Sequence, residues 1–232
     1  MDVRGFIETS LLDWDGKISS VIFLPYCNFR CPFCDNGILL DQPESLPEIK
    51  WEKIEAFLRE RKDFIDGVVI SGGEPTIHLW LPQLAQNIKD LGLLVKLDTN
   101  GTHPAALSSL LTSGVLDYVA MDLKSSLSWH YREAAGTEVD LAKIKQSIRL
   151  ILGSGIDHEF RTTMVPTLIG EEEVEGMAHA IAGAKKYALQ QFVPDHTLDE
   201  KMRVLAPYSK EKMHEFAAIA KKHVPATIVR GV

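Results

Sequence analysis

Cys27, Cys31 and Cys34 stand within one segment, Pro25-Tyr26-Cys27-Asn28-Phe29-Arg30-Cys31-Pro32-Phe33-Cys34-Asp35-Asn36, and are the only cysteines among 232 residues. An odd number so closely spaced does not make a disulfide framework, so metal or redox chemistry is the first thing to test. The spacing is C-x3-C-x2-C. Three thiolates can ligate three irons of a [4Fe–4S] cube, which leaves the fourth iron without a protein ligand. A small molecule offering an amine and a carboxylate could chelate that open iron. Net charge, hydrogen bonds to sulfur and burial would set the potential of such a cluster, and Pro25 and Pro32 stiffen the loop around it. Two plainer readings compete: a structural zinc site, or three unrelated core cysteines. Zinc takes four ligands, and no second Cys-x2-Cys or His-x3-His pair elsewhere completes a set.

The loop needs elements to hold it. Apolar, β-branched runs occur at 21–24, 67–70, 93–97, 118–121, 159–165 and 189–193. Between them lie stretches whose apolar residues recur at helical spacing: Ile54, Phe57, Leu58 and Phe64; Leu141, Ile144, Ile148 and Ile151; Val174, Met177, Ala178 and Ile181; Met213, Phe216 and Ile219. Strands alternating with helices imply parallel pairing through right-handed crossovers. Six such units fall short of a full eight-unit barrel. The expected fold is therefore α/β, an open six-unit (β/α)6 partial TIM barrel. Ahead of it, 6–12 and 17–24 flank Asp-Trp-Asp-Gly as a short hairpin at about residues 1–19. No linker or low-complexity stretch interrupts the chain, which reads as a single domain over 1–232.

In an α/β barrel the C-terminal ends of the strands converge on one mouth, and the polar clusters here sit at such ends. The second strand runs into Ser71-Gly72-Gly73-Glu74-Pro75-Thr76, where glycines permit close backbone approach and the carboxylate could receive an ammonium. The third ends in Asp98-Thr99-Asn100-Gly101 and the fourth in Asp122-Leu123-Lys124. Asp122 and Lys124, two apart, share a face if the strand continues; an interior ion pair or a loop cap would also account for them. Arg161 interrupts an apolar fifth strand, and an unpaired charge there would be costly, so it should point into a polar mouth towards an anion or a ribose. His196 follows the sixth strand.

The C-x3-C-x2-C loop, with Phe33 before its last cysteine and Gly-Gly-Glu-Pro one strand later, resembles the radical S-adenosylmethionine (SAM) superfamily. Asp-Thr-Asn-Gly followed by Asp-Leu-Lys is similar to a narrower group, the glycyl-radical-enzyme activating enzymes. The resemblance implies that Phe33 lies beside the SAM adenine and that Gly72, Gly73 and Glu74 bind its amino group. It implies SAM contacts from Asn36, Thr99, Asp122, Lys124, Arg161 and His196. It also suggests a monovalent-cation site formed by Asp98, Thr99 and Asp122. Within the group, the opening Gly-Phe-Ile-Glu-Thr-Ser-Leu-Leu-Asp-Trp-Asp-Gly-Lys resembles activating proteins of anaerobic ribonucleoside-triphosphate reductase that are similar to pyruvate formate-lyase activating enzyme, with Asp15 where a proline is usual. Asp13 matches an acidic residue near the peptide-binding edge and is a candidate substrate contact.

The implied chemistry is oxidoreductive. Flavodoxin or ferredoxin supplies an electron, the cluster cleaves SAM, and the resulting radical takes a hydrogen atom from a glycine of a partner enzyme. A radical SAM enzyme acting on a small molecule is the alternative, and a non-catalytic iron–sulfur or zinc protein stands behind it. With no cysteine beyond Cys34, a second cysteine-bound cluster is excluded. The net charge of -7 argues against a nucleic-acid partner. No apolar run approaches the ~20 residues of a membrane helix, and the first residues lack the order of a secretion signal, so the expected location is the cytoplasm.

Overall fold

Every strand expected from the sequence forms, and helices separate the parallel ones. The computed structural model describes residues 1–232. Strands are β1 (Gly5–Ser10), β2 (Ser19–Leu24), β3 (Gly67–Gly72), β4 (Leu94–Thr99), β5 (Tyr118–Asp122), β6 (Asp157–Met164), β7 (Tyr187–Gln191) and β8 (Thr227–Arg230). Helices are α1 (Gly37–Asp41), α2 (Trp51–Arg61), α3 (Leu81–Asp90), α4 (Pro104–Ser113), α5 (His130–Ala135), α6 (Leu141–Gly153), α7 (Glu171–Ala180) and α8 (Lys210–Ala220). The strands follow one another in chain order from β1 to β8 in one sheet. None of the helices is long and apolar enough to cross a membrane.

The chain divides into two compact units. The first comprises Met1–Asn28, Ile38–Thr99 and Ala105–Val119. In it β1 pairs antiparallel with β2, Gly5 opposite Phe23, with a register shift between Ile7 and Ser10. The parallel pairs β2–β3 and β3–β4 follow, Leu24 opposite Gly72 and Ile70 opposite Leu97. Trp14, from the β1–β2 turn, packs on Val21 and Val69 with Phe23, Leu94 and Tyr118 around them. Helix α2 buries Ile54 and Leu58, and α3 buries Leu81, Leu84, Ala85 and Ile88. Phe64, expected on the α2 face, is instead 58% exposed, because α2 ends at Arg61 and the chain turns before reaching it.

The second unit comprises Phe29–Gly37, Asn100–Pro104 and Ala120–Val232. Here β6, β7 and β8 pair in parallel, Phe160 opposite Tyr187 and Tyr187 opposite Thr227. The Asp140 carboxylate accepts the Ala142 N–H to cap α6, and the Ser209 hydroxyl accepts the Lys212 N–H to cap α8. Ile144, Ile148 and Ile151 of α6, Val174 and Met177 of α7, and Met213 and Phe216 of α8 are buried as their spacing predicts. The four-residue β8 was not expected. Its Arg230 reaches the buried Glu159 at 2.7 Å, which gives that acid inside β6 a partner.

Candidate active site

In the first unit the segment after β3 is built against the segment after β2. The Gly73 N–H donates to the Leu24 carbonyl at 2.9 Å, and the Glu74 N–H donates to the Tyr26 carbonyl at 2.9 Å. A Cβ on Gly73 would be driven into the Tyr26 carbonyl oxygen, and Gly72 holds φ of 110°. Only glycine tolerates both demands. Tyr26 itself takes φ of 63°, with its N–H donating to the Leu39 carbonyl. His78 Nε2 lies 2.9 Å from the Pro25 carbonyl. The backbone leading into Cys27, from Leu24 to Tyr26, is thus fixed, in part by contacts that the glycine pair permits.

Glu74 is 1% exposed. Its Oε1 accepts the Thr76 N–H at 3.1 Å, the Thr76 hydroxyl, and the Thr99 hydroxyl at 2.7 Å. Two of the expected SAM contacts, Glu74 after β3 and Thr99 at the end of β4, therefore meet directly. Asp98 Oδ2 accepts the Ser71 hydroxyl at 3.0 Å, and its Oδ1 lies 3.7 Å from Lys96 Nζ. Lys96 is 2% exposed, donates to the Asp13 carbonyl, and lies 5.5 Å from the Tyr118 ring centroid. The Asp13 carboxylate accepts the Ser10 hydroxyl.

The second unit collects a different set. Cys31 is buried and Cys34 half-buried. The Cys34 N–H donates to the Cys31 carbonyl, the Arg30 N–H to the Ala135 carbonyl, and the Asp199 N–H to the Pro32 carbonyl. Burial pushes the Cys34 thiol up, while the Asn36 backbone N–H and the charge of Lys124 favour its thiolate. Lys124 Nζ sits 5.9 Å from the centroid of the buried Phe33 ring and 3.1 Å from Asp122 Oδ2. Arg161 Nε donates to Asp122 Oδ1 at 2.8 Å. Burial alone would raise the Asp122 carboxyl, yet Arg161 and Lys124 together hold it down at about 2. Burial would likewise lower the Lys124 ammonium, but Asp122 and then Cys31 outweigh it and raise it.

Arg161, expected to point towards an anion or a ribose, meets the Asp122 carboxylate. That contact joins Asp122, Lys124, Arg161 and Phe33 into one group. His196 lies in an exposed turn after β7, and none of the interactions above involves it. Lys96 and the fully buried Tyr131, whose ring meets Phe29 edge-on at 6.5 Å, were not singled out from the sequence. For Lys96 the signal was there: a lysine two positions before Asp98 in an apolar strand must share its face.

The three thiols are free of disulfides. No group of three or more His, Cys, Asp or Glu side chains is gathered closely enough to hold a single metal ion. A four-iron cube presents its irons at separate corners, so its thiolates need not converge on one point. Three thiols in no disulfide, on a backbone tied at Tyr26, Arg30 and Pro32, therefore fit a cluster better than zinc. The proposed monovalent-cation donors fit less well. Within their own units Asp98 already lies beside an ammonium, and both oxygens of Asp122 already meet cations.

Known proteins bear on these residues. The profile of the Radical SAM superfamily matches residues 21–181. A Methanocaldococcus jannaschii protein provisionally named a glycyl-radical enzyme activating enzyme is 34% identical over 99% of this chain and 96% of its own. A 7-carboxy-7-deazaguanine synthase from Hyperthermus butylicus is 37% identical over 39% of this chain and 37% of its own. Among solved structures, Streptococcus suis SuiB bound to its precursor peptide SuiA superposes with a TM-score of 0.71 at 15% identity. That match covers 91% of this chain and spans about half, 48%, of SuiB, and it shows the shared fold. The superfamily works with a [4Fe–4S] cluster and SAM. With the profile matched over most of its length and a full-length relative at 34% identity, the chain belongs to the radical SAM superfamily.

Proposed function

We propose that this radical SAM enzyme is an activase that installs a glycyl radical on a partner enzyme, and that the partner is anaerobic ribonucleoside-triphosphate reductase. The observation that carries the reading is the relationship to the M. jannaschii protein, which runs the whole length of both chains. Asp98-Thr99-Asn100-Gly101 and Asp122-Leu123-Lys124 support it. When bound, the cluster and SAM supply reductive cleavage of the S–C5′ bond and, with it, a carbon-centred radical that removes a hydrogen atom.

The chain's own residues hold and orient. Cys27, Cys31 and Cys34 hold three irons, and the Asn36 N–H donates to the Cys34 sulfur, which stabilises negative charge there. Phe33 offers a buried face to the adenine. Glu74, oriented by Thr76 and Thr99, receives the SAM ammonium, and the tight Gly72–Gly73 turn sets its height. Lys124 and Arg161, fixed by Asp122, supply cations for the carboxylate and the ribose. His196 adds a further SAM contact, and Asp13 meets the protein substrate. All of 1–232 works as one radical SAM domain. Flavodoxin or ferredoxin is the electron donor, and the cytoplasm is where both partners are met.

The glycine Cα–H suits the reaction because flanking amides stabilise the radical it leaves. The test mixes reduced, cluster-loaded protein with SAM and the candidate reductase without oxygen, and records the electron paramagnetic resonance spectrum. A doublet from one α-hydrogen should appear, and deuterated glycine in the partner should put deuterium into 5′-deoxyadenosine. A second reading, action on a small molecule, draws on the partial match to a deazaguanine synthase. It wins if no reductase gives the doublet while a purified metabolite drives 5′-deoxyadenosine formation.

A further inference from the structure

Lys96 is the residue whose position the proposed chemistry does not use. A lysine placed inside β4 between Val95 and Leu97 costs desolvation, and a structure keeps such a charge only where partners hold it. Its partners are specific. The ammonium donates to the Asp13 backbone carbonyl and lies 3.7 Å from Asp98 Oδ1, on the strand face that Asp98 shares. Asp98 Oδ2 meanwhile accepts the Ser71 hydroxyl. A monovalent cation ligated by Asp98 would have to sit beside a positive charge that is already in place, with the repulsion enlarged by burial.

The second unit repeats the arrangement independently. Asp122 Oδ1 meets Arg161 Nε at 2.8 Å and Oδ2 meets Lys124 Nζ at 3.1 Å. Each carboxylate that the resemblance would assign to a monovalent metal ion is accompanied by a side-chain cation within its own unit.

We infer that this chain carries that positive charge as side chains, with Lys96 at Asp98 as the decisive one, and that SAM binding needs no monovalent metal ion. Lys96 is a positioning residue here: its charge lies 3.7 Å from Asp98 Oδ1, and it touches no substrate atom. The inference rests on the reading of Asp98, Thr99 and Asp122 as part of the SAM site, and it deepens that reading.

The experiment measures the dissociation constant of SAM by equilibrium dialysis on cluster-loaded protein. The buffers are tetramethylammonium, sodium and potassium chloride at matched ionic strength, and both native protein and Lys96→Met are used. Native protein should bind SAM equally in all three. Lys96→Met should bind more weakly in tetramethylammonium and recover at least about fivefold in sodium or potassium, the low end of ordinary coupling between sites. A second readout needs no variant and no cluster. The melting temperature of native cluster-free protein should not depend on which cation is present, because an ion bound only by the folded state would raise it.

Native protein that binds SAM more tightly in potassium or sodium, or melts higher there, overturns the inference even if Lys96→Met fails to fold. A Lys96→Met protein that folds and binds SAM equally in all three buffers also overturns it. Native protein that binds no SAM in any buffer instead sinks the functional reading on which the inference stands.

Discussion

Two acids at strand ends are held in opposite ways. Glu74, after β3, is oriented by an amide and two hydroxyls, from Thr76 and Thr99. Asp122, at the end of β5, is gripped by a guanidinium and an ammonium. Neutral donors fix a carboxylate's direction and leave its charge in place; cations fix it and cancel the charge. The first arrangement suits an acid that must receive a positive group such as an ammonium. The second makes the acid a brace for Arg161 and Lys124. Two residues of the same chemistry thus serve as receptor and scaffold according to their neighbours.

The largest expected effect comes from the backbone that aims Glu74. Gly73→Ala forces a methyl into the Tyr26 carbonyl, which belongs to rigid backbone beside Cys27. Thermal or denaturant unfolding should show a loss of about 3 kcal/mol, the upper range for overpacking. A loss under ~1 kcal/mol would mean that the turn relaxes, and that the receptor is less rigid than the brace.

Next comes the brace. Asp122→Asn leaves Arg161 and Lys124 facing a neutral amide and should cost about 2 kcal/mol at neutral pH, less than for a fully buried pair because the Asp122 side chain is 27% exposed. The sign with pH follows from its depressed carboxyl. The charged form is the one stabilised, so the contribution is whole above the ordinary 3.8 and drains away as pH falls through about 2. In cluster-free protein, the stability gap between native and variant should therefore close across that window. A gap that persists at the acid end would remove Asp122 as the charged brace.

The smallest effect tests the receptor's donors. Thr99→Val deletes one hydroxyl from Glu74 and should cost about 1.5 kcal/mol, as for a hydrogen bond to a charged group. Its SAM affinity should fall along with its stability. Unchanged SAM affinity would remove Thr99 from the groups that orient Glu74.

Much of this was legible in the chain. Strand and helix order followed from period, because β-branched runs and helical repeats here rarely conflict. The cysteine spacing was readable because three thiols so close together match few other chemistries, and Gly-Gly-Glu-Pro because its turn demands glycine. The partners were not. Arg161 meets a carboxylate 39 residues away in sequence, and nothing local announces such a pairing. The close approach permitted by Gly72 and Gly73 brings in Leu24 and Tyr26 of the same chain, partners that the motif alone does not name. Strand β8 escaped because four residues carry too little pattern, and Phe64 because a helix end depends on the turn beyond it.

The most direct test of the central claim asks whether the thiols and SAM act together. Native protein and the Cys27→Ser, Cys31→Ser and Cys34→Ser variants are reconstituted without oxygen and reduced with dithionite in the presence of SAM. Methionine and 5′-deoxyadenosine are then quantified. Native protein should bind about four irons per chain and release both products, and each variant should release neither. Full cleavage surviving the loss of any one cysteine would contradict the account.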